Sequence, residues 1–257
     1  MNNTTTKALV QTLYDYQNNR IRTANRLSRK KDDTHQNKED AILDADELPV
    51  LNKVLEQSKD LEDNIAKVIE KEIKKYPVYT EFLKDVKGCG PKLSAVIIAT
   101  IDIEKATTVS KIWQYAGLNP AKVKGKKSKE VNGERVIYET DEWIRGDKLT
   151  KGFVAPYNVF LKTNMLGKLA DSFIKSKSPY TEFYYNMKQR LAESEKPVNG
   201  NPEKMWKNEP LIHRDRYAKR YMVKMFLADL YKNWRTIEGL PVRPPYQEEY
   251  LGHKHAV

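Results

Sequence analysis

A glycine turn between two apolar segments is the feature that most constrains how this chain folds. Gly88-Cys89-Gly90-Pro91 ends a short apolar segment, and a second apolar segment follows at once and runs to Ala99. Glycine permits the positive φ of a tight turn because it has no Cβ. Proline is accepted in the first turn of a helix, where its missing N–H would have no partner. The sequence therefore predicts a helix-hairpin-helix.

The same turn is a candidate phosphate-binding site. Backbone N–H groups of a glycine turn beside a helix N-terminus are suited to bind phosphate oxygens. Lys87 and Lys92 flank the turn and add positive charge. We therefore predict phosphate contacts from Lys87, Gly88, Gly90 and Lys92. The alternative is a tight interhelical turn that packs and binds nothing.

The positive charge of the chain is concentrated beyond its first 80 residues. Residues 1–80 contain 14 basic and 14 acidic residues, whereas residues 81–257 contain 32 basic and 21 acidic residues and hold the whole net charge of +11. A basic surface attracts polyanions and gives salt-dependent affinity for nucleic acid. Charge and glycine turn together favour a nucleic-acid partner over a merely soluble basic protein.

Composition excludes several other classes of protein. No apolar run approaches the roughly 20 residues that span a bilayer, so no membrane partner is expected. Cys89 is the only cysteine, which excludes an internal disulfide and a thiolate zinc cluster. The first residues lack the basic and apolar regions of a secretory signal. We expect a cytoplasmic protein, associated with the nucleoid or, if a phage encodes it, acting in the host cytoplasm.

Two amphipathic patterns indicate an N-terminal helical arm over residues 1–78. Apolar residues recur at helical spacing over residues 6–29 and again over residues 50–75. Such a pair forms either an antiparallel arm or a dimerising coiled coil. A homodimer through residues 1–75 is therefore one predicted arrangement.

Residues 79–257 are predicted to form a basic helical domain with a small β-wing. The Asn-Gly pair at 132–133 lies between two short segments of strand character, which is a strong signal for a two-residue hairpin. We expect this hairpin near residues 128–140, and after it a long helix over residues 211–234 and an extended tail. The predicted fold class is mostly α, with the arm preceding a helix-hairpin-helix domain.

Two further sets of basic residues are candidates for phosphate contacts. Residues 122–129 form the densest basic run, which we interpret as a loop leading into the wing. On the last helix, basic residues recur along one line. The predicted nucleic-acid-binding residues in these sets are Lys122, Lys124, Lys126, Lys127, Lys129, Arg216, Arg220 and Lys224. Phosphate contacts carry no sequence information, so weak sequence preference is expected. DNA is the predicted ligand, with RNA as the alternative, and an ordinary solvated surface is the competing interpretation.

Several segments together resemble a known family. The segments are VKGCGP at 86–91, IDI at 101–103, IWQYAGLNP at 112–120 and LTKG at 149–152. They resemble the C-terminal domain of DEDD insertion-sequence transposases, the group that includes pilin-gene inverting and bridge-RNA-guided recombinases. The resemblance covers roughly residues 80–170.

A second likeness extends over nearly the whole chain. The segments NRIRTAN at 19–25, IHR at 212–214, RYMVKMFL at 220–227 and the closing residues 244–255 are similar to a shorter set of phage and mobile-element proteins described as transposase-like. Full-length transposases of the larger group carry an N-terminal RNase-H-like domain with four acidic metal ligands. Residues 1–80 have a helical pattern without alternating strands, so that domain is not expected in this chain.

The resemblance implies candidates for catalysis and metal binding. The transposases place a nucleophilic serine shortly after the Gly-Leu-x-Pro turn, where this chain has AKVKG at 121–125 and Ser128 is the nearest hydroxyl. Ser128 and His213 are therefore the candidate catalytic residues, and magnesium is the expected cofactor if the chain is an enzyme. His253 and His255, with His213, are the candidate metal ligands.

Three hypotheses for function follow. The first is a DNA-binding protein of a phage or mobile element that contacts phosphates without reading sequence. The second is a transposase-like enzyme that cleaves or recombines DNA strands with a metal ion. The third is an interaction protein that inhibits or recruits a host nucleic-acid factor through residues 1–75.

Overall fold

The computed structural model describes residues 3–27, 49–198 and 200–244, and these are mostly α-helical. The helices are α1 Thr4–Leu27, α2 Pro49–Ile73, α3 Pro77–Glu81, α4 Pro91–Thr100, α5 Val109–Tyr115, α6 Val159–Asn164, α7 Ala170–Ser176, α8 Thr181–Glu193 and α9 Leu211–Ile237. The strands are β1 Lys122–Val131, β2 Glu134–Arg145, β3 Pro197–Val198 and β4 Asn201–Met205. Short 3-10 turns occupy Leu83–Asp85 and Trp206–Asn208, and a π-helical turn at Met165–Leu169 joins α6 to α7. The mostly α fold with a small β-hairpin is confirmed.

The first two helices run antiparallel, as the spacing of their contacts shows. Near one end of the pair Thr6 Oγ1 lies 2.9 Å from the hydroxyl of Tyr76, just beyond the end of α2, and further along Arg20 Nε donates to Glu62 at 2.7 Å. Val10 and Leu13 on α1 are buried in the same core cluster as the rest of the molecule. The pair is therefore packed on the body, and the homodimer through residues 1–75 stays a prediction.

Helix α4 lies at the centre of that core. Residues 94–99 are buried without a break, because the helix is apolar on every side and other elements cover it. Asn3 reaches its C-terminal end and donates from Nδ2 to Ile98 O at 2.8 Å. Helix α9 adds a fully buried stripe in which Val223, Phe226 and Leu227 face the same core. The pattern expected for the last helix is confirmed, and the helix ends three residues later than predicted.

The glycine turn forms, but the helix expected before it does not extend to the turn. Only the five residues of α3 and one 3-10 turn precede it, so the helix-hairpin-helix is not confirmed. Gly88 adopts φ +92°, as the prediction of a tight turn requires. A Cβ there would lie 2.6 Å from Ser176 Oγ and 2.9 Å from Phe173 Cδ1. Helix α7 therefore covers this side of the turn.

The β-wing is longer than predicted and includes the basic run. Strands β1 and β2 pair antiparallel around Asn132 and Gly133, whose φ values of 54° and 80° confirm the two-residue Asn-Gly hairpin. The prediction of a basic loop at 122–129 was wrong, because these residues form most of β1. The expected bounds of 128–140 fall short of the observed ribbon at both ends.

Two other findings complete the fold. The segment 194–210 contains the small antiparallel pair of β3 and β4. No helix in the described ranges is long and apolar enough to cross a bilayer.

Candidate nucleic-acid interface

A buried carboxylate at the base of the ribbon organises a group of cations. Asp147 lies two residues beyond the end of β2, and its side chain is 3% exposed. Arg145 donates from Nε to Oδ1 and from Nη2 to Oδ2, both at 3.0 Å. Arg220, on α9, donates from Nη1 to Oδ2 at 2.7 Å. The two guanidinium groups are thus held side by side, each partly exposed to solvent.

Two lysines complete this group, which we call the Asp147 cluster and define as Arg145, Asp147, Lys162, Arg220 and Lys224. Lys162 Nζ donates to the backbone oxygen of Asp147 at 2.6 Å. Both lysine amines also lie on aromatic rings: Lys162 is 4.1 Å from the centroid of the Tyr157 ring and Lys224 is 4.6 Å from that of Trp113. Cations on ring faces are attracted by the negative face of the π-system. The amines are therefore positioned without any carboxylate of their own.

Local sequence explains how the chain brings Asp147 into place. Gly146 passes so close to its neighbours that a Cβ would lie 2.6 Å from Gln114 Nε2 and 2.8 Å from Ala121 O. Its N–H donates to Ala121 O at 3.0 Å, and its own oxygen accepts from Gln114 Nε2 at 3.3 Å. Asn158 caps α6 by accepting from the Leu161 N–H at 2.9 Å, which sets the start of the helix that carries Lys162.

The electrostatics of the cluster show a surplus of positive charge. Burial lowers the pKa of Lys162 and of Lys224, and the nearby Arg220 charge lowers both further. For Asp147, burial would raise the pKa, but hydrogen bonds from Arg145 and Arg220 outweigh it and the net pKa lies below the usual value. One carboxylate thus faces four cationic side chains.

Only some of the basic residues predicted to form a line on α9 are without contacts to other described charged side chains. Arg220 and Lys224 belong to the Asp147 cluster, and Arg216 is exposed one helical turn before Arg220. His213 Nδ1 lies 2.5 Å from Glu209 Oε2, so this imidazole has a carboxylate neighbour. The line therefore leads from the start of α9 into the cluster.

Some of the lysines predicted to lie in a basic loop form ion pairs with carboxylates of β2, and others on β1 do not. Lys124 lies 3.6 Å from Asp141 Oδ1, and Lys127 lies 2.7 Å from Glu142 Oε1. Lys129 Nζ is 5.6 Å from the centroid of the Tyr138 ring. Among the described residues, the exposed members of this set without a carboxylate within ion-pair distance are Lys122, Lys126 and Lys129.

Of the residues predicted to bind phosphate at the glycine turn, some are paired or packed within the protein and others are exposed. Lys92 Nζ pairs with Glu62 Oε1 at 3.2 Å, and Arg20 pairs with the other oxygen of that buried carboxylate. Gly88 is partly covered by α7, and its oxygen accepts from Ser172 Oγ at 2.7 Å. Lys87 and Gly90 are exposed. The turn therefore packs on one side and is open on the other.

A second group of cations surrounds Glu62, whose side chain is 7% exposed. Besides Arg20 and Lys92, Gln17 donates to Glu62 Oε1 at 3.1 Å and in turn accepts from Lys168 Nζ at 2.9 Å. Burial would raise the pKa of Glu62, but the hydrogen bonds from Arg20, Lys92 and Gln17 outweigh it and the pKa is lowered. This group fastens α1, α2 and α4 to the π-helical turn.

Of the candidate catalytic residues, His213 has the Glu209 carboxylate beside it, whereas the Ser128 hydroxyl is not hydrogen-bonded to a base within the described residues. Ser128 is exposed on the ribbon opposite Ile137, and its hydroxyl forms no hydrogen bond with any described residue. Within residues 3–27, 49–198 and 200–244, no three His, Cys, Asp or Glu side chains are arranged to hold a metal ion. His253 and His255 lie outside the described residues.

Sequence reasoning missed Arg145, Asp147 and Lys162. The Gly-Asp pair at 146–147 was the available signal, because glycine and aspartate are both common turn residues. No local pattern in the sequence connects Asp147 to Lys162, 15 positions later, or to Arg220, 73 positions later.

No known protein family, characterised protein or solved structure matches this chain at a significant level. The resemblance to transposases therefore stays a prediction from the sequence segments that carry it.

Proposed function

We propose that this protein binds nucleic acid, DNA in the first place, by placing a backbone phosphate on the Asp147 cluster. The observation that carries the proposal is the gathering of Arg145, Lys162, Arg220 and Lys224 around a single carboxylate. Three elements far apart in sequence supply these cations. A fold that collects them at one place bears an electrostatic cost that a bound anion relieves.

The chemistry of the cluster suits a phosphodiester. A guanidinium presents its N–H groups in a planar fork that matches the oxygens of a phosphate. Asp147 occupies one edge of each guanidinium and holds both in position, and the partly exposed remainder of each side chain can receive a ligand. The two ring-bound amines lie beside them and add charge without a fixed hydrogen-bond direction.

The exposed cations around the cluster extend the proposed footprint. Lys122 is the cross-strand partner of Arg145, and Arg216 precedes Arg220 by one turn. A phosphate chain that lies on the cluster therefore meets further positive charge along β1 and along α9. The sequence likeness to transposase-like proteins of phages and mobile elements also supports DNA as the ligand.

Salt-dependent binding of a labelled duplex tests the proposal. The logarithm of the affinity should fall linearly with the logarithm of the salt concentration, with a slope set by the number of phosphate contacts. Arg220→Gln and Lys224→Gln should each weaken binding and reduce the slope by about 1. Lys67→Gln, which removes the same charge from an exposed position on α2, is the matched control and should leave both unchanged.

Thermal unfolding of each variant separates a lost contact from a lost fold. The proposal fails if the wild-type protein shows no salt-dependent binding, or if folded Arg220→Gln binds with the affinity and slope of Lys67→Gln. Strand cleavage and the capture of a host factor remain predictions from the sequence, because no contact in the described residues favours either over binding.

A further inference from the structure

The distal part of the β1–β2 ribbon projects from the body with both faces open to solvent. Val154 N–H donates to Lys126 O at 2.7 Å, and Lys127 Nζ lies 4.6 Å from the centroid of the Phe153 ring. Beyond these contacts, all residues at positions 128–139 are exposed. Five residue steps from Lys127 to Asn132 correspond to roughly 17 Å of projection.

This projection is not explained by the stability of the fold. A lone two-stranded hairpin is marginal in water, and its residues gain little from burial when both faces are exposed. The ribbon nevertheless carries several large apolar side chains in the open. Those more than a third exposed are Val131, Val136, Ile137, Tyr138 and Trp143.

The pairing register separates the distal side chains into two faces. One face carries Lys126, Ser128, Glu130, Arg135, Ile137 and Glu139, and we call it the open face. The opposite face carries Lys127, Lys129, Val131, Glu134, Val136 and Tyr138. Two lysines of the opposite face are engaged within the protein, Lys127 with Glu142 and Lys129 with the Tyr138 ring.

Most polar side chains of the open face have no ion-pair or hydrogen-bond partner among the described residues; Glu139, whose Oε1 lies 3.9 Å from Lys124 Nζ, is the exception. Glu130 and Arg135 are directly opposite each other across the strands, yet no ion pair or hydrogen bond joins them in the described structure. The Ser128 hydroxyl likewise has no hydrogen-bond partner there. Two cations and two anions on this face cancel, so it does not attract phosphates as a patch, unlike the cluster at the base of the ribbon.

We propose that the open face of the ribbon enters the major groove of duplex DNA and contacts base edges, while the Asp147 cluster holds the backbone beside it. This inference rests on the proposed function and names its ligand as duplex rather than single-stranded DNA. The major groove is about 12 Å wide and admits a two-stranded ribbon, whereas the minor groove, about 6 Å wide, does not.

The residue types of the open face are those that discriminate base pairs in that groove. Arginine donates in bidentate fashion to guanine O6 and N7, and glutamate accepts from cytosine N4. Ser128 bonds to either kind of group, and Ile137 can contact the thymine methyl. Arg135 and Glu130 lie side by side at the tip, where a guanine and a cytosine of one pair or of adjacent pairs are within reach. The ribbon thereby adds a sequence preference that phosphate contacts alone do not supply.

Modified duplexes test which groove is used. Cytosines carrying glucosylated hydroxymethyl groups place bulk in the major groove, and netropsin fills the minor groove. We expect the glucosylated duplex to bind about tenfold or more weakly than the plain duplex, and prior loading with netropsin to change affinity less than about twofold. Equal affinity for plain and glucosylated duplex overturns the inference, as does single-stranded DNA that competes as well as duplex.

A pair of charge-matched variants tests the face. Arg135→Ala removes a cation from the open face and should weaken duplex binding about tenfold, because a bidentate base contact is lost. Lys129→Ala removes a cation from the opposite face and should weaken binding less than about threefold. Equal effects of the two substitutions would contradict the assignment of faces.

The two proposals fail in distinguishable ways. If Arg220→Gln weakens duplex binding but glucosylation and Arg135→Ala have no effect, the cluster binds DNA and the ribbon inference is wrong. If Arg220→Gln leaves binding unchanged, the proposed function is wrong whatever the ribbon does. If the ribbon binds a protein and not DNA, we expect the first of these results: Arg220→Gln weakens duplex binding, and glucosylation and Arg135→Ala have no effect.

Discussion

Replacing each glycine of the turn by alanine separates packing from ligand binding. The sequence treats Gly88 and Gly90 alike, as amides available to a phosphate. The structure places them in different surroundings. Gly88 has φ +92° and a Cβ added there would lie 2.6 Å from Ser176 Oγ, whereas Gly90 has φ −67° and a Cβ added there would meet nothing within 4 Å.

The expected cost of Gly88→Ala has two parts. An alanine in a left-handed backbone region costs about 1–2 kcal/mol. The overlap of its Cβ with Ser176 and with Phe173 Cδ1, 2.9 Å away, costs about 1–3 kcal/mol because a packed ring must move. The free energy of unfolding should therefore fall by about 3 kcal/mol. For a chain of this length that corresponds to a decrease of about 6–12 °C in Tm.

Gly90→Ala should behave oppositely. Its backbone is compatible with alanine and its side chain is unobstructed, so the lower entropy of the unfolded chain should leave stability unchanged or raise it by about 0.5 kcal/mol. Urea unfolding followed by circular dichroism measures both variants. Equal stability of Gly88→Ala and Gly90→Ala would refute the packing argument. A large loss of DNA affinity in a fully stable Gly88→Ala variant would restore the phosphate role of that residue.

Three other outcomes follow from buried charged and titratable groups. Asp147→Asn should lower the free energy of unfolding by about 2 kcal/mol in urea titrations, since Arg145 and Arg220 lose their common counter-charge; an unchanged midpoint would contradict this. The pKa of Glu62 lies below its usual value of 4.5 in the folded protein, so the stabilisation it provides is complete above that value and is lost as pH falls through the lowered pKa. The decrease in Tm on acidification should be shallower in Glu62→Gln, and identical pH profiles would count against the argument. Burial raises the pKa of the Cys89 thiol to about 12, so alkylation by iodoacetamide at pH 8 should follow global unfolding; rapid labelling of the native protein would show the thiol to be accessible.

Local patterns were sufficient for several elements. The Asn-Gly pair at 132–133 predicted the hairpin because type I′ turns need positive φ at both central residues, and few other pairs accept it. Apolar periodicity predicted α1, α2 and α9, since the apolar residues of an amphipathic helix recur at helical spacing on the face that is buried. The positive φ of Gly88 followed from its place in a tight turn. Each of these features depends on residues within a few positions of one another.

The basic run at 122–129 is a segment whose structure could not be predicted from neighbouring residues. Lysine has low strand propensity, and a dense basic run is often disordered. Here the partner strand supplies Glu139, Asp141 and Glu142 beside those lysines, so cross-strand attraction offsets the repulsion. The sequence contained both halves of this pairing, but only the register of β1 and β2 shows which charges meet.

The candidate binding site was decided by tertiary structure. The sequence by itself determined the excess of positive charge beyond residue 80, the main helices and the turn chemistry, because charge and backbone preference belong to residues and their immediate neighbours. Which cations gather on Asp147 depends on packing between α9, α6 and the end of β2, and which are neutralised by Glu62 depends on packing between α1, α2, α4 and the π-helical turn. Contacts over such separations leave no periodic signal in a single chain, so they become visible only when the elements are packed together.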